Sequence, residues 1–394
     1  MANINDYIIW RGDLPVSPEF PFNEVDSMVL ARFSYLVMQK IDMDAVETVG
    51  DISCKMKDLP EGAFRYHGDM QLIHLMGESV RFNDMKVTDF VLHNNEEIEK
   101  QFGAVTIHYL ENQMYISYMG TDASLVGWKE DFNMSFMDQV PAQAEGLSYL
   151  TKVCVKYPGR RLRLGGHSKG GNVAIYAGMN APLWIKRAII SVDSFDGPGF
   201  SHKQVKEHEG DPILGRIQNY IPQDSVFGRI LEHGEKSQIV QSDEKKLMQH
   251  DIYSWQVVKD HMVHLQELGE EGDMLYQIFD DWLKESTPQM REVFVDGMFK
   301  LFASANAETF SGARKAMMHN IPQVWKTYRD FPEEDRKTLI KMWMLFAKNY
   351  TNSFIEHKVY SPDDDVQDDK EDNIRENKKE KTAPESQTLD GKEE

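Results

Sequence analysis

Along residues 22–37, FNEVDSMVLARFSYLV, apolar side chains recur at Val25, Met28, Val29, Phe33, Leu36 and Val37. That three-and-four spacing gathers them on one face of a helix, and Asn23 stands where a cap is needed. Residues 38 to 95 keep no steady period and predict only short helices and loops. The rhythm changes near Phe102. AVTIHYL (104–110) and MYISYMG (114–120) are β-rich runs on either side of Glu111-Asn112-Gln113, which predicts a hairpin. A helix is predicted over 141–157, with apolar positions at Ala144, Leu147, Leu150, Val153 and Cys154 and a stop at Pro158-Gly159. RLRLGG (161–166) predicts a strand, and KGGNVAIYAGMN (169–180) the helix after it. KRAIISVD (186–193), GRIQNYIP (215–222) and KSQIVQS (236–242) predict three more strands, the first running into the turn-rich SFDGPGF. Strands alternating with helices predict an α/β fold with a mainly parallel sheet flanked by helices.

From Asp251 onward strands are predicted to cease. Residues 287–305 open with Thr287 as cap and Pro288 at the first helical position, and 331–350 form a second strong helical segment with acids at its start. Methionine and aromatic positions there read as core rather than as a ligand box. The expected organisation is an N-terminal helical and irregular region (1–95), an α/β core (96–260), a helical C-terminal region (261–360) and an acidic tail (361–394), without internal repeats.

Composition narrows the classes. A chain of 394 residues can bury a full core. Its net charge of −20 argues against nucleic acid, whose binding depends on neutralising phosphates. The segment 361–394 holds 13 acidic and 6 basic residues with almost nothing apolar, and is expected to be a disordered, solvating tail. No run approaches the ~18 apolar residues of a membrane span. The first residues lack the basic-then-apolar order of a signal peptide. Two cysteines, Cys54 and Cys154, fit a reducing compartment, so a cytoplasmic location is expected. The tripeptide Arg11-Gly12-Asp13 is short enough to arise by chance and carries nothing.

The chemistry concentrates in LRLGGHSKGGNVAIYAG, residues 162–178. A phosphate loop needs Lys then Ser or Thr after its last glycine, and a dinucleotide loop needs G-x-G-x-x-G. Neither order is present. Gly166-His167-Ser168-Lys169-Gly170 between a strand and a helix instead fits a nucleophile elbow, in which a strained turn projects the serine hydroxyl over the sheet edge. Glycines two positions either side leave room for neighbouring backbone. Ser168 then needs an acid and a base in the chain order Ser, Asp or Glu, His. Asp224, after the second strand beyond the elbow strand, and His250, after the next, meet that order. Asp193 and Asp196 are rival acids one strand earlier, and His233 is a rival base. His167 is expected to pack or hydrogen-bond locally. For the oxyanion hole, Lys169 offers its backbone N–H and the Gly120-Thr121 turn offers a second donor.

ISYMGTD (116–122) and GGHSKGG (165–171) together resemble the paired motifs of class 3 lipases over about residues 100 to 255. The chain is similar also to a family of bacterial lipase-like hydrolases that share the NEVDSMVLA and FDGPGF segments. The resemblance implies an α/β-hydrolase fold, with Ser168 as nucleophile, Asp224 as acid, His250 as base and Thr121 at the oxyanion loop. It implies carboxylic ester hydrolysis on a small-molecule or lipid ester, with no metal or organic cofactor. A thioesterase or acyltransferase would use the same parts. Met119 and Lys169 depart from the arginine and leucine usual there, and Lys169 is expected at the pocket rim, shifting substrate preference. The contrasting reading is a non-catalytic interaction protein on a hydrolase scaffold.

Overall fold

The computed structural model describes residues 1–269 and 272–360, so the tail at 361–394 lies outside the described residues. Four helices come first: α1 (Ile4–Arg11), α2 (Glu24–Phe33), α3 (Val49–Met56) and α4 (Asp69–Glu78). Asn23 caps α2 as its sequence predicts. Its side chain accepts from the N–H groups of Val25 and Asp26, and Asp26 returns the bond to the Asn23 N–H at 3.0 Å.

Next come β1 (Lys86–Asn95), β2 (Lys100–Leu110), β3 (Gln113–Tyr118), α5 (Leu125–Asn133), α6 (Pro141–Lys156), β4 (Arg161–His167), α7 (Lys169–Asn180), α8 (Leu183–Ala188) and β5 (Ile189–Phe195). The core closes with α9 (His202–Glu207), β6 (Ile217–Pro222), β7 (Ser237–Val240), β8 (Val257–Val258), β9 (His261–Met262) and β10 (His264–Leu265). Among the described residues the main sheet runs β1-β2-β3-β4-β5-β6-β7-β10. Its centre, β3 to β7, is parallel, while β1, β2 and β10 join antiparallel at the edges. The fold class is therefore α/β with a mainly parallel sheet flanked by helices.

Alternation along the strands separates two cores. Val105, Ile107 and Tyr115 face α1–α4, whereas Phe102, Ala104, Met114 and Ile116 face α6 and α7. Full burial of a Val, Ile, Phe or Met side chain among them is worth about 1.5–3 kcal/mol. β1 lies where the sequence showed only short helices and loops. It is a half-exposed edge strand broken by a register shift between Thr88 and Val91, so neither apolar alternation nor length marks it. The strands do not cease at Asp251 either: β8, β9 and β10 follow, each two residues long and too short to carry a period.

The remaining helices are α10 (Asp273–Glu285), α11 (Pro288–Ser304), α12 (Phe310–His319), α13 (Ile321–Asp330) and α14 (Glu333–Tyr360). Thr287 caps α11 by accepting from the Met290 N–H at 3.3 Å. Phe294, Val295, Met298, Phe299 and Leu339 build a third core, against which Leu125, Trp128 and Phe132 of α5 pack. No helix among the described residues is long and apolar enough to cross a membrane.

Candidate active site

Strand β4 ends at His167 and α7 starts at Lys169, leaving Ser168 alone to turn the chain. Ser168 does so at φ 58° and ψ −131°, a conformation costly for a residue with a side chain. It is held by its N–H donating to Phe195 O at 2.9 Å, while its carbonyl accepts from the Gly171 N–H at 2.9 Å. The flanking glycines are required by contact. A Cβ on Gly166 would lie 2.4 Å from the Gly170 carbonyl carbon, and one on Gly170 would lie 2.2 Å from Tyr118 O. Either would force the elbow away from β3 and the loop that follows it.

His250 closes a short 3₁₀ turn after β7. Its ring packs on His167, with centroids 4.6 Å apart, and on Phe227 at 4.4 Å. Its Nδ1 lies 2.6 Å from Asp196 Oδ2. A carboxylate only accepts, so Nδ1 carries the proton in that bond and Nε2 is left as the basic nitrogen. Asp196 is 1% exposed. Its other oxygen accepts from Ser225 Oγ at 2.5 Å and from the Gly228 N–H at 3.0 Å. The carboxylate is thus buried, satisfied and fixed in direction.

This corrects the expectation for Asp224. Its Oδ2 accepts from Gln249 Nε2 at 2.6 Å, its Oδ1 from the Gly272 N–H at 3.3 Å, and its own N–H donates to Gln249 Oε1 at 3.0 Å. Asp224 therefore grips the residue before His250, not the imidazole. The physical reason is sheet order: β5 is the immediate neighbour of β4, and β6 is one strand further out. An acid leaving the end of β5 is closer to the elbow than one leaving β6. The other rivals are committed elsewhere. Asp193 accepts from Ser27 Oγ at 2.6 Å and from Ser191 Oγ at 3.1 Å, with burial raising its pKa. His233 Nδ1 pairs with Glu235 at 2.9 Å.

His167 does more than pack locally. Its Nε2 donates to the backbone carbonyl of His250 at 2.8 Å, while Tyr35 Oη donates to the carbonyl of His167 at 3.0 Å. Burial, then the neighbouring His250 and Arg32, push its pKa well below the usual imidazole value, so it stays neutral. The elbow is thereby stapled to the His250 loop. No spacing rule in the sequence announces such a link.

The Gly120-Thr121 turn abuts the elbow: a Cβ on Gly120 would lie 2.5 Å from His167 O. Thr121 is 7% exposed; its hydroxyl donates to Asp131 Oδ2 and its carbonyl accepts from Arg65 at 2.5 Å. Burial raises the Asp131 pKa to about 6, and Lys169 and the Thr121 bond pull the other way. Lys169 is not at a pocket rim. It is 1% exposed, and its ammonium donates to Gln101 O at 3.0 Å, Gln101 Oε1 at 2.5 Å and Glu130 Oε2 at 3.0 Å.

The family model described as Mbeg1-like matches residues 76–300, 225 of the 394 residues, a span that contains the elbow, Thr121, Asp196 and His250. The chain belongs to the Mbeg1-like family. No curated protein matches the chain. Among solved structures, it is similar to the Lip2 lipase of Yarrowia lipolytica, at 14% identity and TM-score 0.34 over 58% of this chain and 80% of that one. It is similar also to lipase II of Rhizopus niveus, at 12% identity and TM-score 0.36 over 55% and 78%. The lipase of Rhizopus microsporus var. chinensis matches at 13% identity and TM-score 0.36 over 59% and 83%.

Proposed function

We propose that this Mbeg1-like protein is a serine hydrolase of carboxylic esters, working through Ser168, His250 and Asp196. The observation that carries the reading is a buried carboxylate bonded at 2.6 Å to an imidazole that packs beside a positive-φ serine turn. His250 Nε2 takes the proton as Ser168 Oγ attacks the acyl carbon, and Asp196 holds the Nδ1–H and stabilises the imidazolium that forms. The backbone N–H groups of Lys169 and Thr121 receive the developing oxyanion. His250 returns the proton to the leaving alcohol, and water releases the acyl group by the same steps in reverse order. Small-molecule or lipid esters are the substrate class.

The direct test is labelling of the native protein by a fluorophosphonate, with Ser168→Ala as control, beside turnover of p-nitrophenyl esters. Labelling of the wild type alone is the expected result. A wild type that neither labels nor turns over an ester series from two to sixteen carbons would sink the reading.

A further inference from the structure

We propose that the Lys169 side chain is a positioning residue that clamps the two halves of the oxyanion site to each other. The inference rests on the ester-hydrolase reading and extends it from the Lys169 backbone N–H to its ammonium group. At an elbow the residue after the nucleophile is needed for its N–H, which leaves its side chain free to vary. A lysine there would ordinarily reach for water, because an unpaired buried ammonium is costly. Here it turns inward, and three bonds, two to Gln101 and one to Glu130, take its three protons.

What those partners hold is the decisive point. Gln101 Nε2 donates to Gly120 O at 3.3 Å, and Gln101 Oε1 accepts from the Asp122 N–H at 3.4 Å. One amide side chain therefore brackets Thr121 from both sides, much as a neighbouring strand would. Glu130 steadies Gln101 from behind: its Oε2 accepts from the Gln101 N–H at 3.0 Å, and its Oε1 from the Ala142 N–H at 2.7 Å. Asp131, which receives the Thr121 hydroxyl through Oδ2, turns its buried Oδ1 towards the ammonium at 3.9 Å; that oxygen has no hydrogen-bond partner. The ammonium charge thus faces the carboxylate that holds the Thr121 side chain.

The residue supplying one N–H accordingly controls, through Gln101 and Asp131, the backbone flanks and the side chain of the residue supplying the other. Two donors on different loops must agree within a few tenths of an ångström to share one oxyanion, and a misplacement of about 1 Å costs roughly 10²-fold in rate. The side chain converts two independent loops into one rigid pair.

The test measures Lys169→Met, Lys169→Met/Glu130→Gln and Gln101→Met in the full chain. The double variant avoids stranding Glu130 as a lone buried charge, and Gln101→Met leaves the Lys169–Glu130 pair intact, so loss of fold in the first variant does not end the test. Each folded variant is expected to lose about 10²-fold in kcat on a p-nitrophenyl ester with KM within about twofold. Fluorophosphonate labelling should slow by the same factor, and amide hydrogen exchange at Thr121 and Asp122 should accelerate. Wild-type turnover accompanied by unchanged kcat in the folded variants would overturn the clamp while leaving the hydrolase reading intact. Unchanged exchange at Thr121 and Asp122 would overturn it whether or not any ester is cleaved. A wild type that is inert to ester and probe, yet shows the faster exchange in the variants, would instead remove the hydrolase reading and keep the clamp.

Discussion

Beneath the elbow, Glu130, Asp196, Lys169 and His167 are each no more than 3% exposed, and directional bonds tie them to named partners. The layer from α10 to α14 is built differently. It buries Val295, Phe299 and Met342 by contact, and leaves Ile321, Trp325, Trp343 and Met344 more than half exposed. The difference is one of specification. Buried polar groups accept few arrangements, because each lost partner leaves an unpaired atom in a dry place. Apolar contact accepts many, since area rather than direction sets its worth.

Substitution should separate the two regimes on one energy scale. The largest effect is expected for Ser168→Ala, which should lower ester turnover by about 10⁶-fold, read by initial rates and loss of labelling. Asp196→Asn should follow at about 10⁴-fold in kcat, whereas Asp224→Asn, which loosens the bonds to Gln249 and Gly272 but none to His250, should cost about tenfold or less. Equal losses in these two variants would contradict the assignment of the acid. In stability, Asp69→Asn should cost about 3–5 kcal/mol in urea melts. It strands Arg32, which is paired with Asp69 at 2.7 Å with both side chains 1% exposed. Met342→Ala in the helical layer, at a side chain with no exposed surface, should cost about 2–5 kcal/mol by leaving a cavity, yet change kcat little. Trp325→Ser, on an exposed face, should stay within about 0.5 kcal/mol.

One pH effect belongs to the first regime. The Asp131 pKa rises from an ordinary 3.8 to about 6 on folding. Between those values the folded chain holds a proton the unfolded chain has released, so stability contributed by this group falls as pH climbs from 3.8 to about 6. Above that window the loss is complete. Asp131→Asn should remove that fall, measured as the urea midpoint across the window.

The parts legible in the sequence were those governed by local pattern and chain order. Apolar spacing marks α2, β2 to β7 and α11, and the G-x-S-x-G order sets Ser168 between a strand and a helix. His250 follows β7, where its sequence position put it. The carboxylate that pairs with His250 was not legible, because Asp196 lies before Gly197-Pro198-Gly199 and carries the composition of an ordinary turn. Its positive φ of 53° and its reach towards His250 emerge only once β5 lies beside β4. The burial of Lys169 is hidden from the sequence for a related reason. A charged side chain beside a nucleophile reads as solvent-facing until Gln101 and Glu130, 68 and 39 residues away in sequence, come together beneath it.

The helical layer is not mechanically separate from the elbow. Ser124 pairs with Thr309, and Trp128 stacks on Phe310 with centroids 4.6 Å apart and planes 16° from parallel. The segment directly after Thr121 therefore leans on the chain nearly two hundred residues downstream. A nick or a bound body at α12 would be transmitted as a lever is, displacing the loop after Thr121 from nearly two hundred residues away.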